Sequence, residues 1–156
     1  MYLIFKLVHV SAVIVFLGNI ITGLFWHAHA ARSRDPKLLA FTMDGIIRSD
    51  RIFTMPGVLV IIATGVTAAI HAGLPLMRTP WIFGTLILFA ISGLAFGFRV
   101  APLQRQLRAL AEAGAERGDF EYARYHALAV QWEIWGAFAL LTPLLGLVLM
   151  VLKPGS

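Results

Sequence analysis

The chain has 156 residues, 59% of them hydrophobic and only 13% charged, with a formal charge of +5 and no cysteine. About a quarter of a typical soluble domain is charged, so this composition excludes an ordinary soluble protein, and the length points to one integral membrane domain over residues 1–156. Without cysteine there are no disulfides, thiolate metal sites, iron–sulfur clusters or haem attached through C-x-x-C-H, and basic residues gathered in two loops with no recognition motif exclude a nucleic-acid partner.

Residues 2–26 form the first predicted span, long enough to cross a bilayer, which takes about 20 apolar residues. It carries Lys6, His9 and Asn19. Ionisable and polar groups in hydrocarbon cost about 2.5–3.5 kcal/mol on insertion scales, so they turn inward. His9, Ala12, Phe16, Asn19, Gly23 and Trp26 follow a 3-4-3-4 step, the seam of a helix packed on other helices. Lys6 lies one turn before His9 on nearly the same side. The N-terminus lacks the basic start and cleavage site of a signal peptide, so the first span is expected to be retained.

Asp35 and Pro36 make a good helix start. The apolar spacing of Leu38, Leu39, Phe41, Met43, Ile46 and Ile47 then predicts a short helix lying at the interface or under the bundle. Arg48, Ser49, Asp50 and Arg51 lead into the second span, 52–70, with Pro56 in its first turn and Thr64, Gly65 and Thr67 as a small-residue face. The turn at His71, Gly73 and Pro75 is short, so spans two and three are expected to form an antiparallel hairpin. Span three covers 81–100, and Pro102 is expected to end or kink it. Leu103, Leu107 and Leu110 face one side of a charged extension, which Gly114 to Gly118 breaks. Asp119 is the expected cap of a last long helix whose membrane part is 132–152. Trp132, Trp135 and Trp81 suit interfacial belts. The fold class is thus all-α: a bundle of four antiparallel transmembrane helices with cytoplasmic helical extensions.

The loop from His27 to Asp50 holds Arg32, Arg34, Lys37 and Arg48, and the loop after span three holds Arg99, Arg105, Arg108, Arg117 and Arg124. The positive-inside rule makes both loops cytoplasmic and both termini external.

Depth sorts the histidines. His9 and His27 are 18 residues apart and share a face, about 27 Å apart along the axis. A histidine on a bundle seam suits an axial bond to haem iron; the alternative for His9 is a structural hydrogen bond to a neighbouring helix. His71 is a candidate second ligand, although roughly 10 Å shallower. His27 and His29 are interfacial or hold a second haem. Lys6 either snorkels to the surface or faces a haem propionate. Asn19 is expected to be an interhelical hydrogen bonder. Arg51 and Glu133 lie at one depth and are a candidate ion pair, with Arg51 pairing to Asp50 or lipid phosphate as alternatives; Glu133 is either a solvated carboxylate, the expected reading, or a proton relay with His27. The stripe of Tyr122, Tyr125 and Trp132 reads as packing.

Phe5-Lys6-Leu7-Val8-His9, Trp26-His27, Arg51-Ile52-Phe53-Thr54-Met55-Pro56 and Leu152-Lys153-Pro154 together resemble a bacterial group of four-span predicted integral membrane proteins of unknown function, over nearly the whole chain. More distantly the chain is similar to the four-helix membrane protoporphyrinogen oxidases of bacteria, which bind b-type haem; their motifs match at His9, His27, Arg51 and Pro56. Those oxidases carry a lysine early in span three and a histidine near its end, where this chain has neither. The resemblance therefore implies haem b binding rather than porphyrinogen oxidation. The resulting expectation is an integral inner-membrane protein that binds haem b at His9, with His71, Lys6, His27 and Arg51 around the cofactor. It would serve electron transfer, with quinone or another membrane redox partner. The alternative is a non-enzymatic accessory subunit or membrane scaffold without cofactor, and the Gly-rich spans also permit a homo-oligomer.

Overall fold

The computed structural model describes residues 1–155. Six α-helices follow one another: α1 (Tyr2–Ala31), α2 (Pro36–Ser49), α3 (Met55–His71), α4 (Pro80–Ala95), α5 (Ala101–Arg117) and α6 (Tyr122–Leu152). Two π-helical turns, Asp50–Thr54 and Phe96–Val100, fuse α2 to α3 and α4 to α5. The result is four helices long and apolar enough to cross a membrane, of 30, 36, 38 and 31 residues. They form a bundle whose mid-span surface is apolar, with Leu7, Leu59, Leu94 and Leu141 all exposed. In water that surface would be unstable; against acyl chains it costs nothing.

The fusion corrects two expectations. Residues 36–49 are not a separate interfacial helix, and Pro102 does not end its helix. Each π turn ends two residues before a proline, Pro56 or Pro102, that would otherwise drive its ring into the carbonyl four residues back. Widening the turn relieves that contact. The Met55 N–H then bonds to the Asp50 carbonyl and the Ala101 N–H to the Phe96 carbonyl, each five residues back, and the helix continues.

The pairing of helices also differs from the expected hairpin. α3 and α4 make no close backbone approach; α3 packs on α1, α4 on α6, and α2 on α5. Small residues decide this. Gly65 of α3 receives the His9 ring, whose Cε1 lies 2.9 Å from where a Cβ would stand. Gly146 of α6 receives Thr85 of α4 in the same way, with Cγ2 3.0 Å from such a Cβ. The Ser92 hydroxyl of α4 donates to the Ala139 carbonyl at 2.6 Å. Each pair therefore approaches closely where its glycines and hydroxyls face the other helix. α3 and α4 meet through side chains near their turn, where Ala69, Trp81 and Ile82 cluster.

The densest core lies toward the arginine-rich end, where α2 and α5 thicken the bundle. Leu39, Met43, Leu107, Ala111 and Tyr125 are all completely buried there. α1 contributes His9, Ala12, Phe16, Asn19 and Gly23 to the interior, but Trp26 is exposed and His27 takes its place. A straight helix advances 3.6 residues per turn, so a strict 3.5 seam drifts about 20° per heptad and hands over to the next residue. Asp35 caps α2 by accepting the Lys37 N–H, as expected. Asp119 does not cap α6; Gly118, at φ +74°, ends α5, and α6 starts four residues later without a side-chain cap. Trp81 and Trp132 are buried rather than interfacial.

Candidate functional site

Three polar groups sit on α1 at different depths; His9 and Asn19 meet the second long helix, and His27 meets α6. His9 lies in the half of the bundle away from the arginine-rich end. Its Nδ1 is 3.0 Å from the Ile61 carbonyl oxygen on α3, so Nδ1 carries the proton and donates. The Thr64 hydroxyl stands 3.4 Å from the same nitrogen. That leaves the Nε2 lone pair unengaged, which is how a histidine that ligates a metal is usually oriented. The expected inward face of His9 is therefore found. His71 is exposed one helical stretch further along α3; its Nδ1 bonds to the Thr67 carbonyl at 2.9 Å, and its ring lies 5.3 Å from that of Phe5. Six residues separate His71 from Gly65, about 9 Å of rise, so the two imidazoles are not placed as the two axial ligands of one iron. Neither the cavity beside Asp50 nor the pocket beside Tyr125 borders His9. Lys6 and Arg51 are both exposed.

Asn19 holds the second group. Its Nδ2 donates to Asp50 Oδ1 and to Thr54 Oγ1, each at 2.9 Å. The Thr54 hydroxyl donates to the same Asp50 oxygen at 2.8 Å. Gln104 Nε2 from α5 donates to Asp50 Oδ2 at 2.8 Å. A carboxylate that is 7% exposed thus collects three donors from three helices. Among the described residues no cation lies within ion-pair distance of it. Burying a charge in this way is tolerable only because each oxygen is hydrogen-bonded. The π turn matters here, because Asp50 is its first residue and Thr54 its last. Asn19 behaves as the sequence led us to expect; Asp50 and Gln104 were not foreseen as its partners.

His27 is the third group and is fully buried. Its Nε2 is 3.0 Å from the Tyr125 hydroxyl. Its Nδ1 lies 3.3 Å from Glu133 Oε1, in ion-pair range although off the line of a hydrogen bond. The Trp132 indole meets the imidazole edge-on, with centroids 4.8 Å apart. A proton on Nδ1 facing the carboxylate leaves Nε2 to accept from the Tyr125 O–H. Glu133 therefore serves His27 rather than Arg51, which corrects the ion pair expected from depth and bears out the juxtaposition of His27 with Glu133. Tyr125 is not merely packing.

This trio opens on one side. A pocket of about 220 Å³ between the end of α1 and the start of α6 is lined by Ala28, Arg32, Tyr122, Tyr125, Val130 and Glu133, among others. Tyr122 fixes its rim by donating to the Ala31 carbonyl at 3.1 Å, with the Arg34 guanidinium 4.9 Å over its ring. A buried imidazole is thus one carboxylate away from the surroundings, since the Glu133 side chain is 42% exposed.

No group of three or more metal-ligating side chains occurs among the described residues. No curated protein and no solved structure matches the chain. The model of one family, described as "Predicted integral membrane protein (DUF2269)", matches residues 3–154, and the chain belongs to that family.

Proposed function

We propose that this protein binds the headgroup of a quinone in the pocket between α1 and α6, and that Tyr125, His27 and Glu133 form its acid–base site within a membrane redox process. One observation carries the reading: a pocket at the arginine-rich end of the bundle is lined by Tyr125 and Glu133, which both face the buried His27. About 220 Å³ is less than the roughly 300–1,000 Å³ of sites that enclose a whole small molecule. It suits the headgroup of a lipid-soluble molecule whose tail stays among acyl chains past Val130. Reduction of a quinone to a quinol takes up two electrons and two protons. This chain's residues serve the proton side, and a membrane redox partner supplies the electrons. The positive-inside rule places the arginine-rich end, and so the pocket, on the cytoplasmic side with both termini external. The checking experiment is a titration of a short-chain quinone into protein in lipid nanodiscs, read by tryptophan fluorescence. Saturable quenching is expected, and Val130→Trp, which fills the rim, weakens it at least tenfold. Quenching that rises linearly with quinone, as from partition into lipid, would sink the reading.

A second reading, haem b held by His9, is supported by the Nδ1 bond to the Ile61 carbonyl, which leaves the other ring nitrogen without a hydrogen bond among the described residues. When bound, the haem would supply one-electron chemistry. A Soret band in purified protein that His9→Ala abolishes is the expected result; a colourless preparation from haem-sufficient cells overturns it.

A further inference from the structure

Where α1, both π turns and α6 converge lies a partly open cavity of about 20 Å³. Its walls include Asn19, Asp50, Phe96, Val100, Gln104 and Trp132. Asp50 begins one π turn, and Phe96 and Val100 begin and end the other. The two widened turns therefore border the same space. A cavity needs about 10–15 Å³ by this measure to hold a water, so this one has room for one.

Trp132 is 2% exposed, and its Nε1 is a buried donor with no hydrogen-bond partner among the described residues. Such an orphan is rare in a folded protein and calls for an acceptor. Across the cavity stands the opposite need. The Asp50 carboxylate has three donors and no cation, and Oδ2 accepts only from Gln104. We propose that one water occupies the cavity, accepting from the Trp132 indole N–H and donating to Asp50, so that a hydrated carboxylate sits at the meeting point of the four long helices.

The polarity of the walls selects water over other small occupants. A sodium ion would meet the positive end of the indole N–H and the donor amides of Asn19 and Gln104. A halide would face the carboxylate. Water alone is both acceptor and donor, and the cavity presents one of each. The site is separate from the pocket beside Tyr125 and Glu133, with which it shares no lining residue. It does not rest on quinone binding.

The test is water–indole cross-relaxation by NMR on full-length protein, labelled with ¹⁵N in its tryptophan indoles, in detergent micelles. Trp132→Phe assigns the resonance. A direct dipolar cross-peak between the Trp132 Hε1 and a long-lived water is expected, of opposite sign in the rotating frame to one produced by hydrogen exchange. Val100→Ile adds a methylene to the cavity wall and should remove the cross-peak while leaving the Trp26, Trp81 and Trp135 indole resonances in place; Ala139→Val serves as a second filling variant. A Trp132 indole with no dipolar water contact in protein with dispersed indole resonances overturns the proposal. So does a cross-peak that survives both filling variants in folded protein.

Discussion

Asp50→Ala is expected to destabilise the bundle by about 2–4 kcal/mol, the range for leaving several buried donors unsatisfied at once. The carboxylate is the common acceptor for Asn19 on α1, Thr54 one helical turn on, and Gln104 on α5. Alanine removes the acceptor and leaves three donors pointing at a methyl group in a place water reaches poorly. Asp50→Asn keeps one acceptor oxygen and a similar shape, so it should cost less, about 1 kcal/mol. Reversible unfolding in mixed detergent micelles, followed by circular dichroism, measures both. A double-mutant cycle with Gln104→Leu should show a coupling of at least about 0.5 kcal/mol, as expected for residues sharing one network. If Asp50→Ala were neutral, the carboxylate would not be organising these helices.

His27→Ala is expected to lower stability by about 2–4 kcal/mol, combining the cavity left by a buried ring with the loss of its hydrogen bond. The imidazole is fully buried, bonded to the Tyr125 hydroxyl and set edge-on to Trp132. Its removal leaves Tyr125 without its partner and Glu133 without the group it faces. Because Tyr125 and Glu133 line the pocket, quinone binding should fall in the same variant. His27→Gln separates the two effects. Glutamine refills much of the volume and still bonds to Tyr125, so stability should recover, but it holds no exchangeable charge opposite Glu133, so binding should not. The same unfolding assay and the nanodisc titration check each half. Full recovery of quinone affinity in His27→Gln would show that the imidazole serves packing alone.

The parts of this molecule that were legible in the sequence are those where the membrane leaves no choice. Long apolar runs had to be helices, and Asn19, placed deep in the first of them, had to find a partner on another helix. The partners themselves were not legible. Asp50 and Gln104 are 54 residues apart, and nothing local marks either as half of a pair. Asp50 read as part of a loop because Arg48 and Arg51 flank it, and because Pro56 suggested a helix start. The π turn that reconciles that proline with a continuous helix has no signature beyond the proline itself. The handover from Trp26 to His27 on the buried face follows from the 20° drift of a real helix against a 3.5-residue repeat, and could have been found by applying 3.6. Tyr125 could have been found too, since it, Ala129 and Trp132 share the one face of α6 that is buried at that end. The choice of α1 with α3 and α4 with α6 depends on which helix each glycine meets, and short connections alone favoured a different neighbour.

The quinone site is tested most directly by photolabelling. An azido-quinone is irradiated with the protein in nanodiscs, and the modified peptides are identified by mass spectrometry. Labelling confined to the end of α1 around Ala28 and Arg32 and to the first three turns of α6, from Tyr122 to Glu133, and competed away by unlabelled quinone, is the predicted result. Label spread along the lipid-facing surfaces of α3 and α4, with no effect of competitor, would contradict it.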